Sequence, residues 1–326
     1  MSRLPPLSVI TVCMNRQQHL LATAPRLADW PHHQEHLIID WSSDQPIRRQ
    51  QLPDDSRIQL HRVVGESRWN LARAYNLAAV LAKGSLLLKL DADCWPGALV
   101  PEDILKAETS SCWFGSGPDG RLGQFLLHRK AFESVGGFNE VLIGYGFDDK
   151  DLKARLQSLG WQLADLPVEA IGVIPHSIHE RTSRKIEHGL RPSPLLEAHS
   201  QAHRRATAMS NRLAAAFHPW TARRAPSRYQ PVAEGLWRGE SEQIPRLRSD
   251  LDAELERSRR QMFWSHFLEI PELHVKLLPA LLLPPDQDGH FQVCWWHRLY
   301  WQSLRRLLRL PLFSLRVCKG LLRWFR

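Results

Sequence analysis

Apolar and polar positions change period in an ordered way along the chain. Leu7-Ser-Val-Ile-Thr-Val-Cys13 is β-branched and apolar almost throughout, the pattern of a strand buried on both faces of a parallel sheet. Gln17–Leu27 has helical spacing and ends near Trp30-Pro31. Glu35–Asp40 reads as the next strand, followed by the turn-rich Trp41–Pro46, and Arg57–Val64 as a third. Trp69–Leu81 places Ala and Leu on one helical face and is closed by Lys83-Gly84. Ser85–Leu90 is a fourth strand that runs directly into Asp91-Ala-Asp93. Strands alternating with helices predict βαβ units and an α/β fold with a mostly parallel sheet. Ligands of such sheets sit beyond the carboxyl ends of the strands, where Asp40 and the Asp91/Asp93 pair fall.

Further on, Gly123–His128 reads as a strand, Lys130–Val135 as a short helix and Asn139–Phe147 as a loop. Asp148 opens a helix that runs to Leu159 and is stopped by Gly160. A strand near Glu169–Ile174 leads into Pro175-His-Ser-Ile-His179. Beyond Pro194 the texture becomes helical, with Pro194–Phe217 and Glu240–Phe267 joined by a loop bearing Pro and Arg. These changes predict two domains, 1–195 and a helical, basic 196–326.

Composition narrows the class. The 326 residues are 43% hydrophobic and 24% charged, which excludes a wholly disordered or collagenous chain. Net charge is +9, unevenly spread. Residues 1–200 carry 22 basic and 23 acidic side chains, and 201–326 carry 21 and 11. Eight basic residues and no acidic one follow Asp288. Such an end favours anionic partners. The five cysteines are odd in number, scattered and without a CxxC, so neither a disulfide framework nor a zinc site is signalled. With no signal-peptide-like start and no apolar run near the ~20 residues of a spanning helix, a cytoplasmic location is expected.

Four segments can carry chemistry. Asp91-Ala-Asp93, at a strand end, can converge on a hard divalent cation that keeps phosphate ligands; as a bare pattern it equally suits a solvated turn. In Gly144-Tyr-Gly-Phe-Asp-Asp-Lys-Asp151, the carboxylates Asp148 and Asp149 stand in a first helical turn. The helix dipole alone explains acids there, but a carboxylate after a Gly-aromatic-Gly loop also suits a general base held against a sugar hydroxyl. His176 and His179 can complete a metal site or cap a turn. Arg68 and Arg73 suit a diphosphate or simply an exposed helix face.

Taken in order, residues 7–185 resemble the nucleotide-sugar glycosyltransferases of the GT-A fold, family-2-like. Leu7–Asn15 looks like the opening strand of that family, which implies Thr11 and Asn15 on the donor side. Ile38-Ile-Asp-Trp-Ser-Ser-Asp44 resembles the V-V-D-x-x-S-x-D segment, so Asp40 inherits a place near the nucleotide base. Ala74-Tyr-Asn-Leu-Ala-Ala-Val-Leu-Ala-Lys-Gly84 follows A-R-N-x-G-x-x-x-A-x-G, with Tyr75 for Arg, Ala78 for Gly and Asn76 retained. Leu90-Asp-Ala-Asp93 is then the metal-binding D-x-D, and Gly123–Glu140 resembles the stretch ending V-G-G-F-D/N-E. Residues 144–151 look most like the G-W-G-x-E-D-D-D motif of the β-1,4-galactosyltransferase type. Tyr145 replaces Trp, Asp148 replaces Glu, and Lys150 interrupts the acidic run.

The resemblance implies a metal-dependent transferase that moves a hexose or N-acetylhexosamine from a UDP-sugar to a hydroxyl of a saccharide or lipid-linked acceptor. Asp149 takes the place of the base, with Asp148 beside the acceptor. Asp91, Asp93 and His176, with His179 as backup, would hold Mn²⁺ or Mg²⁺. Thr11, Asn15, Asp40, Arg68, Arg73, Asn76, Asp91 and Asp93 would line the donor side. Gly123, Gln124, Gly144, Tyr145, Gly146 and Asp148 would line the acceptor side. Direct attack implies inversion at the anomeric centre. A non-catalytic sugar-binding relative and a sugar nucleotidyltransferase are the competing classes; Met14–Gln18 lacks the glycine-rich loop of the latter. The segment 296–326 reads as cationic and amphipathic, suited to an anionic membrane surface on the inner face. No nucleic-acid module is recognisable.

Overall fold

The computed structural model describes residues 5–107, 111–182, 194–224, 226–240 and 245–267, with single positions at 307, 311, 314 and 318. The membrane-surface expectation for 296–326 therefore lies outside the described residues, apart from those four positions. Two compact units emerge. One comprises Met1–Glu140, Asp148–Leu190 and Trp220–Pro245; the other Val141–Phe147, Arg191–Pro219 and Arg246–Arg326. The sequence expectation of one cut near residue 195 differs from this interleaved division.

In the first unit, β1 (Leu7–Cys13) and β2 (Glu35–Trp41) are buried at every position, including the polar Ser8, Thr11, Glu35, His36 and Asp40. With β3 (Ile58–Val64) and β4 (Leu86–Lys89) they form the parallel heart of the sheet. Helix α1 (Gln17–Ala28) follows β1, and α2 (Leu71–Leu81) follows β3. Asn70 starts α2 by accepting the Arg73 backbone N–H at 2.9 Å, which satisfies one of the helix's open donors. Alternate residues of β1 feed two cores: Ile10 and Val12 pack with Ala74, Tyr75 and Ala78 of α2, while Leu7 and Val9 pack with Leu27 of α1. Truncating any such fully buried leucine to alanine costs about 2–5 kcal/mol.

The remaining elements are β5 (Cys94–Pro96), α3 (Pro101–Ala107), β6 (Ser111–Phe114), β7 (Phe125–His128), α4 (Arg129–Ser134), α5 (Asp148–Ser158), β8 (Gln162–Asp165), β9 (Ile171–Val173) and α6 (Ile178–Thr182). After these come α7 (Pro194–Phe217), β10 (Tyr229–Ala233), β11 (Leu236–Gly239) and α8 (Ser249–Phe267). Among the described residues nine strands share one sheet in the order β10-β11-β3-β2-β1-β4-β7-β6-β8. The pairs β4–β7, β7–β6 and β10–β11 are antiparallel, and the rest parallel. This is the expected α/β architecture, a mostly parallel sheet flanked by helices. The hairpin β10–β11 was not legible: Tyr229–Gly239 lies in the segment expected to be a loop, and it extends the sheet beside β3.

Two pairings prepare the site. Antiparallel β4–β7, with Lys89 opposite Phe125, lays Gln124 alongside the turn after β4. The small β5–β9 ribbon pairs Cys94 with Val173 and so draws residues 174–176 beside Asp93. In the second unit, α7 and α8 pack through Ala206, Leu213, Phe217, Leu251, Leu255 and Met262, with Leu142 of the 141–147 loop in the same core.

Candidate active site

Asp91 and Asp93 stand on one tight turn, closed by the Cys94 N–H donating to the Asp91 carbonyl at 2.8 Å, yet their carboxylates part. Asp91 Oδ1 accepts from Lys89 Nζ and from Tyr75 Oη, both at 2.7 Å. Its Oδ2 accepts from Gln124 Nε2 at 2.8 Å, and its backbone N–H donates to Gln124 Oε1 at 2.9 Å. Lys89 is 1% exposed, donates also to the Gly123 carbonyl at 2.8 Å, and lies 4.4 Å from the centroid of the Tyr75 ring. Burial alone would raise the Asp91 carboxyl. The Lys89 ammonium and the hydrogen bonds from Lys89, Tyr75 and Gln124 together outweigh it and hold the group below its usual range.

Asp93 faces the other way. Its backbone carbonyl accepts from the Ile174 N–H at 2.9 Å, and its Oδ2 lies 3.5 Å from His176 Nε2. His176 Nδ1 is 2.9 Å from the Ile174 carbonyl. That contact assigns the proton to Nδ1 and leaves the Nε2 lone pair turned to the Asp93 oxygen. Two ligands of one ion at about 2.1 Å stand about 3.0–3.4 Å apart, so this spacing suits a shared cation. Burial, and then the Asp91 charge, raise the Asp93 carboxyl. The expected trio of Asp91, Asp93 and His176 is not assembled: among the described residues no three His, Cys, Asp or Glu side chains cluster closely enough to hold a metal. The Asp91 oxygens are instead taken up by Lys89, Tyr75 and Gln124. Asp93 and His176 still fit a hard or borderline divalent ion whose remaining ligands are phosphate oxygens. His179 lies one helical turn further on, within α6.

Basic groups gather near Asp93. Arg16 and Arg181 both act on its charge, and the His19 ring sits 5.2 Å from that of His176. The Arg181 guanidinium lies against Gly120, whose φ of +95° leaves no room for a side chain there. Its Nη2 is buried and has no hydrogen-bond partner among the described residues. Ser177 and Glu180 cap α6 reciprocally, at 2.7 and 3.1 Å, and so fix the chain between His176 and Arg181.

Asp148 and Asp149 open α5 with Asp151. Asp151 is taken up by Arg155 at 2.7 Å. Asp148 is different: burial, and then the charge of Asp149, push its carboxyl up to about 6, with Lys89 opposing and Asp91 adding to the rise. That value suits a proton acceptor near neutral pH.

Residues 120–180 match the family described as the N-terminal domain of galactosyltransferase. That stretch is 61 of the chain's 326 residues. The matched stretch holds Gln124, Asp148, Asp149 and His176. No curated protein matches the chain. Among solved structures, the catalytic domain of Drosophila β1,4-galactosyltransferase 7 in complex with xylobiose overlays with 13% identity, 73% of this chain, 93% of that one and a TM-score of 0.44. S. aureus TarS residues 1–349 in complex with UDP gives 15%, 64%, 71% and 0.43. GalNAc-T7 with UDP, GalNAc and Mn²⁺ gives 16%, 63%, 52% and 0.41. Overlays this loose assign no residue.

Around this site, several sequence candidates are spoken for by the fold. Asp40 is 0% exposed and accepts from the backbone N–H groups of Ser43 and Ile47 at 3.0 and 3.2 Å, and it is ion-paired with Arg62. Arg73 is forked onto Glu66 at 2.6 and 3.0 Å between the rings of Trp41 and Tyr229, so its charge is neutralised internally rather than offered to a diphosphate. Arg68 is exposed and precedes α2 rather than lying on its face. Asn76 exchanges hydrogen bonds with the Phe138 backbone at 2.8 and 3.0 Å and donates to Glu140 at 2.8 Å, which ties α2 to the Gly-Gly-Phe-Asn-Glu segment. Gln124 braces Asp91, as above. Thr11 meets His36 Nε2 at 3.0 Å. Asn15, at φ 56°, accepts from the Asp44 N–H at 2.8 Å. Gly123 lies beside Lys89 through its carbonyl. The loop residues Gly144, Tyr145 and Gly146 belong to the second unit. Sequence reasoning passed over Lys89, Arg16 and Arg181. Lys89 had a local signal: it is the one charge in Leu86-Leu-Leu-Lys-Leu90.

Proposed function

We propose that this glycosyltransferase is metal-dependent and inverting, and that it moves a sugar from a UDP-sugar to a hydroxyl of a saccharide or lipid-linked saccharide. The observation that carries the reading is Asp93 facing His176 at 3.5 Å, with the imidazole oriented by the Ile174 carbonyl. These two groups would hold Mn²⁺ or Mg²⁺ through Asp93 Oδ2 and His176 Nε2. The bound ion would act as a Lewis acid on the diphosphate. Asp91 and Lys89, as a fixed pair, keep the turn that presents Asp93. Arg181 supplies a guanidinium on the phosphate side, in the role expected of Arg73.

Transfer breaks the bond between the anomeric carbon and the diphosphate oxygen and forms one to the acceptor oxygen. The acceptor proton goes to a carboxylate of the Asp148/Asp149 pair. Motif position names Asp149 as the base. The second reading, favoured by the rise of Asp148 to about 6, exchanges the two roles. Metal binding by the D-x-D turn, through Asp93, and family-2 kinship are part of the same proposal.

The first test is a thermal-shift panel of UDP-sugars with and without Mn²⁺, followed by a transfer assay on the best donor. Asp149→Asn is expected to abolish transfer and keep UDP–Mn²⁺ binding. If Asp149→Asn turns over and Asp148→Asn does not, the base is Asp148. If no UDP-sugar binds in the presence of metal, the reading fails. No helix among the described residues is long and apolar enough to cross a membrane.

A further inference from the structure

The loop Val141–Phe147 carries a feature that its motif does not explain. Three of its residues have left-handed backbone: Gly144 at φ 66°, Gly146 at φ 106° and the non-glycine Phe147 at φ 81°. A phenylalanine is strained there and holds the conformation only where the surroundings dictate it. The dictating group is Asn211, in the middle of α7 and 3% exposed. Its Oδ1 accepts from the Ile143 N–H at 3.1 Å. Its Nδ2 donates to the Ile143 carbonyl at 2.9 Å and to the Gly146 carbonyl at 2.8 Å. One amide side chain thus closes the loop on both sides of Tyr145. The same helix sets the glycine requirement. A Cβ on Gly144 would stand 2.9 Å from Thr207 Cγ2, and one on Gly146 would stand 3.1 Å from Ala208 Cβ.

We propose that Asn211 is a positioning residue for the acceptor: it fixes residues 143–146 in one conformation and thereby sets where Tyr145 meets an acceptor sugar. The proposal rests on the glycosyltransferase reading and gives α7 a part in specificity. Only an amide serves. It donates twice and accepts once in a fixed plane, whereas a carboxylate of the same shape would oppose two carbonyl oxygens. A helix residue is also a stiffer anchor than a second loop.

The test is Asn211→Asp, with Gly146→Ala disturbing the same contact from the loop side. Full-length protein is assayed with UDP-galactose, Mn²⁺ and a panel of free glucose, xylose and N-acetylglucosamine as acceptors. The KM for the acceptor is expected to rise at least tenfold in both variants, with the KM for UDP-galactose unchanged. Hydrogen exchange at residues 141–147 is expected to quicken in both. Unchanged acceptor KM in folded Asn211→Asp, or an equal rise in donor KM, overturns the assignment. Failure of the wild type to release UDP from UDP-galactose, in water or with any acceptor, instead overturns the reading beneath it.

Discussion

Asp148→Asn should make the protein more stable while removing a group the reaction needs. The Asp148 carboxyl rises from 3.8 to about 6 on folding, chiefly through burial and then through Asp149. A group that holds its proton more tightly when folded penalises the fold wherever it must ionise. The penalty is complete above pH 6, fades between 6 and 4, and is gone below both values. At 1.36 kcal/mol per unit, a shift of about two units costs about 3 kcal/mol at pH 8 and about half of that at pH 5. Asp148 is only partly shielded from water, so these figures are ceilings. Asparagine keeps the shape and has no charge to bury. Urea unfolding of wild type and variant at the two pH values measures the difference directly. The variant should gain up to about 3 kcal/mol at pH 8 and clearly less at pH 5. No gain at pH 8, or the same gain at both values, would show that Asp148 is not held in a charge-hostile setting.

If Asp148 is the base, wild-type kcat/KM should rise with pH through an apparent value near 6, as its carboxyl loses its proton, then level off; a flat profile from pH 5 to 8 refutes Asp148 as the base. Lys89→Met should cost about 1–3 kcal/mol in urea unfolding, because it takes the ammonium from the half-buried Asp91 carboxylate, and Lys89→Met with Asp91→Leu should recover part of that loss. A small loss for the single variant would mean that Tyr75 and Gln124 carry Asp91 alone. His176→Ala should weaken Mn²⁺ binding in the presence of UDP about 10–100-fold by calorimetry. Asp91→Asn should weaken it far less, because the Asp91 oxygens are already taken up by Lys89, Tyr75 and Gln124. Equal effects would restore Asp91 as a ligand.

The sheet was legible because its central strands keep apolar centres, Val9-Ile10 in the first and Leu37-Ile38-Ile39 in the second. Leu7–Cys13 and Glu35–Asp40 admit little else than buried strands, and the helix ending at Leu81 carries a clear apolar face. The carboxyl-end rule then placed Asp91, Asp93 and Asp40 correctly along the chain. It could not say which way each carboxylate turns. That depends on partners such as Gln124, 33 residues from Asp91, or Ser227, 87 residues from the buried Glu140, and no local pattern encodes them. Tyr75 is the instructive case. As a departure from the A-R-N pattern it looked like a weakened motif, yet its hydroxyl donates to Asp91. Tyr75 and Lys89 together rebuild the neighbourhood of the first acid. The hairpin at Tyr229–Gly239 was missed because its strands are short, edge-placed and mostly exposed, so they lack the alternation that marks a half-buried strand.

The interleaving of the two units limits how the protein can be cut or recombined. The seven residues 141–147 leave the sheet unit, take their hydrogen bonds and apolar contacts from α7, and hand the chain back at Asp148. A shortened version ending near residue 190 would remove the helix that shapes them and strip β11 from the edge of β3. Grafting a different helical tail onto the sheet would likewise import a foreign mould for that loop. The two parts are therefore expected to be exchanged between proteins only as a matched set.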